Sequence, residues 1–585
     1  MSGKTKFWAV GTLTLLAVIA PLKFGTPVVL SAAVLPPQTI WEWIFFSWPN
    51  QLLPLILAVA TVGLALDSQW LPARRDWLWV LPGIFLVTQL VAAQTSICAA
   101  TTTDTLLHFA VCVAVFYLAA RYVRDSAAVA WVFGGLTLAT LIVVVFAVQQ
   151  YFGGLAATRE YAATYGGNLP KDLQLRLTSN RVFSTLVYPN ALAGFLVVAF
   201  APVLAWLWSC RLRVWLKWGT LLFVGGLMVF TLALTGSRGG FIAFAAMVLA
   251  GLVAASRRVW WTLAAAAVIA GVFVTAQQAG LIRHGWASAS ARGDYWRGAV
   301  AIARDHPLFG TGPGTFGSIY PKYKTATTEE AQLVHNSYLQ MWSDSGVAAA
   351  VVFALLWLVA IRDGFRLARR SGGDVAGIAV AAATTGWVVH GFLDFDLYVL
   401  GVAVPAFLLL GILQGLKPGS VQTVRRPARL ARGTAGVAIG AAVAWLAGRS
   451  LLADFYNART QMLADSDPVA AAASARQVID WNPANPRYRS LAGDLALQQG
   501  RATAAVECYL AAVDNDPYRA AHHWRLARAL MVIGGREEEV VEQLKIAVDL
   551  NPTQERYREE LAAAEENIRQ VPAGLLRFKL IKEGH

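Results

Sequence analysis

The sequence predicts an all-α, polytopic membrane protein of about 12–13 transmembrane helices, followed by an extramembrane domain of helical repeats. Three observations predict it. Hydrophobic residues make up 57% of the 585-residue chain and charged residues only 14%, where soluble domains carry about 25% charge. Long apolar runs alternate with short basic loops. After position 450 the pattern changes to amphipathic helices punctuated by Asn-Pro and Asp-Pro pairs.

A helix needs about 20 mostly apolar residues to cross ~30 Å of hydrocarbon. Runs of that kind lie near 7–22, 46–66, 77–95, 106–120, 128–151, 186–208, 218–235, 241–256, 259–278, 337–361, 375–393, 399–416 and 433–448. The first follows a basic start and resembles a signal peptide. With no evident cleavage site and many spans behind it, we read it as the first span. Alternate loops are basic, among them Arg74/Arg75, Arg121/Arg124, Arg211/Arg213/Lys217, Arg257/Arg258, Arg362/Arg366/Arg369/Arg370 and Lys417/Arg425/Arg426/Arg429/Arg432. The excess of Lys and Arg on cytoplasmic loops sets orientation. It predicts a cytoplasmic N-terminus, and an odd number of spans then puts the tail outside the cytoplasm. The division expected is a transmembrane domain at 1–449 and a repeat domain at 450–585.

Net charge is +14. From position 450 on the chain holds 16 Lys/Arg and 19 Asp/Glu, which leaves 33 and 16 for the first 449 residues. The surplus therefore belongs to the membrane part and to its orientation. With no basic stripe interleaved with aromatics, nucleic acid is not an expected partner. The four cysteines, Cys98, Cys112, Cys210 and Cys508, form neither a CxxC nor a metal-ligand spacing.

Two long outside segments, about 152–185 and 279–336, interrupt otherwise short connections, and such loops carry function more often than scaffold does. Candidate residues cluster in and beside them. Arg181 opens RVFSTLVYPNALAGFL, which includes Asn190; Arg238 lies in LTGSRGGFIAF; Arg292 begins RGDYWRGAVAIARDHPLFGTGPGTF; His335 lies in AQLVHNSYLQMWSDSG, with Asp344 nine residues on. A guanidinium is permanently charged and matches phosphate oxygens bidentately. Three outside arginines suit a diphosphate at the membrane face, both as a ligand and as a leaving group gathering charge. A neutral imidazole at His335 can accept a proton from an attacking hydroxyl. Taken singly, Arg238 is also readable as an interfacial anchor and His335 as a histidine satisfied by a backbone carbonyl. His284 and His306 are rivals in the same loop. His390 and Asp394, four apart in HGFLDFDLY, share a helix face; they either orient a loop arginine or pair with each other. Gly310, Gly312 and Gly314 lack the Lys-Ser/Thr of a P-loop, so the string reads as a tight loop rather than a nucleotide cradle.

In the tail, Asn482-Pro483, Asp516-Pro517 and Asn551-Pro552 recur at spacings of 34 and 35. The small/large pattern between them (Leu491, Ala492, Ala496, Ala504, Ala505, Tyr509, Ala512) resembles a tetratricopeptide repeat. Such repeats serve either as a docking module for a protein partner or as a stabilising cap.

Taken in order, RVFSTLVYPNALAGFL, LTGSRGGFIAF, RGDYWRGAVAIARDHPLFGTGPGTF, AQLVHNSYLQ and HGFLDF resemble the O-antigen ligase and O-antigen polymerase family across about residues 180–400. The resemblance implies a GT-C-like membrane fold and a glycosyltransferase needing neither metal nor other cofactor. Its donor would be a glycan on undecaprenyl diphosphate, its acceptor a hydroxyl on lipid A core or a similar molecule. It implies that Arg181, Arg238 and Arg292 hold the diphosphate and that His335 is the base, with Arg238 also catalytic. Asn190, Asp344, His390 and Asp394 would support them. The family often has glycine where this chain has Ser184. Within the same class, a polymerase or a protein O-oligosaccharyltransferase is the alternative. A lipid-linked glycan transporter would instead place polar groups at mid-membrane and break its helices. Membrane lipids, the donor, a lipid or protein acceptor and a protein on the repeats are the partners expected.

Overall fold

A computed structural model describes residues 3–33, 36–37, 39–65, 70–72, 76–164, 180–256, 286–325, 330–370, 374–417, 421–423, 426–464 and 466–570. It is all-α apart from one short antiparallel pair, β1 (Trp70–Pro72) with β2 (Val421–Thr423). The membrane part contains α1 (Gly3–Lys23), α2 (Ile40–Phe45), α3 (Leu52–Ala65), α4 (Trp77–Ala92), α5 (Ala99–Tyr122), α6 (Ser126–Gln149), α7 (Leu155–Thr164), α8 (Pro189–Ser209), α9 (Val214–Leu234) and α10 (Arg238–Ala255). After the next described residues come α11 (Trp286–Asp305), α12 (Phe316–Ile319), α13 (Ser337–Arg370), α14 (Val375–Gly391), α15 (Leu400–Leu416) and α16 (Arg426–Leu463). The tail adds α17 (Pro468–Trp481), α18 (Pro486–Gln498), α19 (Ala502–Asn515), α20 (Ala520–Ile533), α21 (Glu537–Leu550) and α22 (Glu555–Gln570).

Among the described residues, 9 helices are long and apolar enough to cross a membrane, and α14 and α15 are shorter apolar helices of the same kind. A multi-pass membrane protein follows, because each such helix satisfies its own backbone in lipid. One expected run starts later than expected, and one is outside the described residues. The run at 259–278 lies outside the described residues, as do Arg257, Arg258 and His284. The run at 46–66 forms a helix only from Leu52. Pro49 disfavours helical geometry in the residue before it, and Trp48 instead donates its backbone N–H to the Lys23 carbonyl at 2.7 Å.

Helix starts follow local chemistry. Asp76, Asp125, Ser237 and Asp374 cap α4, α6, α10 and α14 by accepting a backbone N–H, and Pro189 occupies the first turn of α8. The centre of the bundle is α15, whose residues from Leu400 to Gly415 are all buried. Gly411 and Gly415 let its backbone approach α5 so closely that an added Cβ would lie 2.5 and 2.3 Å from the carbonyl oxygens of Phe116 and Val123. Lys417, just past α15, bonds to both Asp76 and Asp363 and so ties the end of α15 to the start of α4 and to α13.

The stretch 433–448 is part of a 38-residue helix, α16, which continues without a break across position 450 into the tail. The paired repeat helices then follow. The second helix of each pair ends at Trp481, Asn515 and Leu550, immediately before the Asn/Asp-Pro positions. Gly493 gives the close approach expected of small residues there, since a Cβ on it would meet the Tyr509 ring at 2.6 Å.

The tail folds back on the membrane part. Ser318 donates to Asp516 at 3.2 Å and accepts from Arg519 at 3.2 Å. Asn551 donates to Glu330 at 2.7 Å. Tyr518 packs against a small core of Tyr295, Ile302, Phe316, Tyr320 and Val334.

Candidate functional site

The segment carrying Arg181 is clamped at its start. At the end of α6 the helix widens into a π-type turn over Gln150–Gly154, a distortion that often accompanies function. Gln150 Oε1 accepts the backbone N–H groups of Phe183 and Ser184 at 3.1 and 2.7 Å. Ser184 has φ +53° and Val187 φ +60°, a region that favours glycine. Ser184 is held there by its hydroxyl, which donates to the Val143 carbonyl at 2.7 Å.

Arg181 is thereby fixed. Its Nε donates to the Thr235 carbonyl at 2.6 Å and its Nη2 to Asn190 Oδ1 at 2.7 Å. Burial, with Arg292 nearby, lowers its pKa to about 10, and the Asp394 carboxylate opposes that shift. Asn190 is therefore a support for Arg181. The Thr235–Gly240 turn packs against Arg181 on one side, where a Cβ on Gly236 would sit 3.4 Å from Arg181 Nε. On its other side a Cβ on Gly239 would sit 3.1 Å from Leu393 and 3.8 Å from His390 Nε2. Arg238 rides on this turn as the first residue of α10 and is partly exposed. Among the described residues its guanidinium forms no hydrogen bond or ion pair.

Asp394 is the hub of the cluster. It is 2% exposed. Its Oδ1 lies 3.1 Å from His335 Nδ1 and its Oδ2 3.5 Å from Arg292 Nη2. The backbone N–H of Phe395 donates to Oδ1 at 2.9 Å, and Ser337 Oγ donates to the Asp394 carbonyl at 3.0 Å. Burial alone would raise this carboxyl; the His335 and Arg292 partners outweigh it and hold the carboxyl well below the usual carboxylate range. An ionised carboxylate only accepts. Nδ1 of His335 therefore carries the hydrogen, and Nε2 presents its lone pair. The His335 ring stacks on Tyr295 at 5.8 Å and meets Phe395 edge-on at 4.7 Å. Its backbone has φ +55°, a strained placement of the sort found at functional sites.

His390 does not pair with Asp394. Asp394 turns toward Arg292 and His335, whereas His390 Nδ1 bonds to Asp396 Oδ2 at 2.5 Å with both side chains buried. Burial raises the Asp396 carboxyl. Gly194 on α8 leaves the space for it, since a Cβ there would lie 2.5 Å from Asp396 Oδ1. This pair fastens the segment that follows α14 to the end of that helix, packed against α8.

Asp344 lies behind the cluster, fully buried, and serves the glycine loop. It accepts the backbone N–H groups of Gly314 and Phe316 at 3.0 Å each, the Gln340 amide at 2.9 Å and the Tyr398 hydroxyl at 3.2 Å. Gly310, Gly312 and Gly314 all have positive φ, which glycine adopts without strain, so the string is a tight loop, built against a kink in α13 at Gly346, where φ is +80°. His306 begins this loop and bonds by its backbone to Ile302; no contact joins it to the cluster among the described residues.

Arg181, Arg292, His335 and Asp394 are thus linked by direct contact or by field, and Arg238 stands on the turn that packs between Arg181 and His390. Gln150, Tyr295 and Asp396 were not anticipated. The last two lie inside the quoted motifs, but only the fold reveals their contacts. Among the described residues no group of three or more His, Cys, Asp or Glu side chains is placed to hold a metal ion.

The family described as O-antigen ligase matches residues 223–354, an interval that contains Arg238, Arg292 and His335. The tetratricopeptide repeat family matches 463–520 and 491–555. No curated protein matches the chain.

Proposed function

We propose that this multi-pass membrane protein, with an O-antigen ligase segment ahead of tetratricopeptide repeats, transfers a glycan from undecaprenyl diphosphate to an acceptor hydroxyl on the external side of the bacterial inner membrane. The observation that supports this most is the Asp394 carboxylate reaching both Arg292 and His335 beside the Arg181–Arg238 turn. Arg238, with no partner among the described residues, is the freest of the three guanidiniums to meet an incoming diphosphate. Arg292 shares its charge with Asp394, and Arg181 supplies a fixed positive field from behind.

In this reading the acceptor O–H gives its proton to His335 Nε2, and the oxygen attacks the anomeric carbon. The bond from that carbon to the diphosphate oxygen breaks, and undecaprenyl diphosphate leaves with the electron pair, its charge met by the arginines. Asp394 holds the ring in the tautomer the step needs and stabilises the imidazolium. A single displacement inverts the anomeric centre. Residues 1–449 would form the transfer domain and 450–585 the external repeat domain.

The test is glycan transfer in vesicles carrying an undecaprenyl-diphosphate-linked glycan, comparing wild type with Arg238→Ala and His335→Ala. Normal turnover in both variants would end this assignment. The acceptor separates ligase from polymerase and from protein glycosyltransferase: capped lipid A core, a ladder of chain lengths, or a modified protein. The repeats, a fold that commonly docks proteins, favour the last as the second reading.

A further inference from the structure

A cavity of about 260 Å³ lies where the tail meets the membrane part, away from the arginine–histidine cluster. From the tail it is lined by Arg487, Asp516, Arg519, His522 and Arg525, and from α5 by Asp104. The residues at the N-terminal ends of α18, α20 and α5 all line it. Neither α20 nor α5 has a side-chain cap; the His522 N–H donates to the Arg519 carbonyl at 2.9 Å, and the other first-turn N–H groups at this wall have no capping side chain. Helix N-termini and guanidinium groups together favour an anion.

The arginines are not equally engaged. Arg519 is tied to Asp516 and Ser318, and Arg525 to Asp494 at 3.3 Å. Among the described residues the Arg487 guanidinium forms no hydrogen bond or ion pair. The two carboxylates impose a second requirement. Asp516 is 2% exposed, and its Oδ1 is buried with no donor. Asp104 likewise receives no hydrogen bond among the described residues. A bare anion would satisfy Arg487 and repel both carboxylates. The occupant must bring one anionic group together with several hydrogen-bond donors. The volume is several times the roughly 30 Å³ of a water molecule, so it exceeds a lone phosphate.

We propose that this cleft binds a phosphorylated carbohydrate, with the phosphate on Arg487 and the two uncapped helix ends and a sugar hydroxyl donating to Asp104. The chain reaches the cluster from here through packed groups: Ile97, beside the cleft, joins Tyr518 and Tyr320 in one core with Tyr295, which stacks on His335. If glycan transfer is the activity, the cleft is a subsite for a phosphorylated part of the acceptor or donor glycan; that clause alone rests on the proposed function.

The test uses the full chain in phosphatidylcholine nanodiscs and isothermal titration with glucose 6-phosphate, glucose and inorganic phosphate. Glucose 6-phosphate is expected to bind at least tenfold more tightly than either comparison ligand. Arg487→Gln is expected to weaken it tenfold or more, and Asp104→Asn severalfold, with unchanged melting temperatures. His335→Ala is expected to bind as wild type, which separates this site from the transfer reaction. Equal binding of glucose and its phosphate, or wild-type binding by a folded Arg487→Gln protein, would overturn the proposal. So would a cleft that responds only to phosphatidylethanolamine added to the discs and not to the sugar phosphate, since the occupant would then be a lipid headgroup.

Discussion

His335 Nδ1 lies 3.1 Å from Asp394 Oδ1, and the other oxygen of the same carboxylate lies 3.5 Å from Arg292. One buried acid therefore sets the tautomer of the imidazole and the position of a guanidinium. Asp394→Asn keeps the shape and removes the charge. Transfer is expected to fall by about 10²-fold or more, within the range of general acid–base effects, with KM for the donor changed less than kcat. Single-turnover transfer assays on the two proteins check it.

Arg181 and Arg238 should differ in kind. Arg181 is bonded to Thr235 and Asn190, so Arg181→Ala leaves a buried carbonyl and amide oxygen without donors, at about 1–3 kcal/mol each. It should lower both the melting temperature and the turnover. Arg238→Ala should lower turnover at an unchanged melting temperature, and Arg238→Lys should restore only part of it, because an ammonium lacks the bidentate fork. Parallel melting and transfer measurements separate the two.

Asp344→Ala should destabilise rather than affect chemistry directly. It strands the buried N–H groups of Gly314 and Phe316, a loss of about 2–5 kcal/mol at the usual cost of unpaired groups. The glycine loop should become a site of early proteolysis, readable by limited digestion of the detergent-solubilised protein.

His522 makes the tail sensitive to acid. Burial, then the neighbouring Arg519 and Arg525, push its pKa down to about 3 from an ordinary 6.5. Between those values the unfolded chain binds the proton and the folded chain does not, so stability falls as pH drops below about 6.5 and the loss is complete near pH 3. The slope is at most about 1.4 kcal/mol per pH unit for one proton. His522→Asn should flatten the pH dependence of tail unfolding across this window, measured by tryptophan fluorescence. An unaltered slope would exclude His522 as its cause.

The fold was largely legible because lipid imposes a coarse rule. Span length and hydropathy located most of the described helices that are long and apolar enough to cross a membrane, and the Asn/Asp-Pro spacing located the ends of the repeat pairs. The failure at 46–66 came from Pro49, a local breaker inside an apolar run. The cluster was legible only as a set of residue types on one face. Which histidine pairs with which acid was not: helical spacing suggested His390 with Asp394, but the chain leaves α14 at Gly391 and turns, so Asp394 swings to His335 and Asp396 takes its place.

By itself the sequence determined that this chain lives in lipid, that it offers many apolar helices, and that guanidinium and imidazole groups gather in its polar connections. Those follow from composition and periodicity, which act along the chain. Tertiary structure alone decided that Asp394 joins Arg292 to His335, that Asp344 serves a loop, and that the tail closes a charged cleft against α5. Hydrogen bonds and ion pairs act over about 3 Å between residues up to 341 positions apart, a proximity that no local pattern encodes.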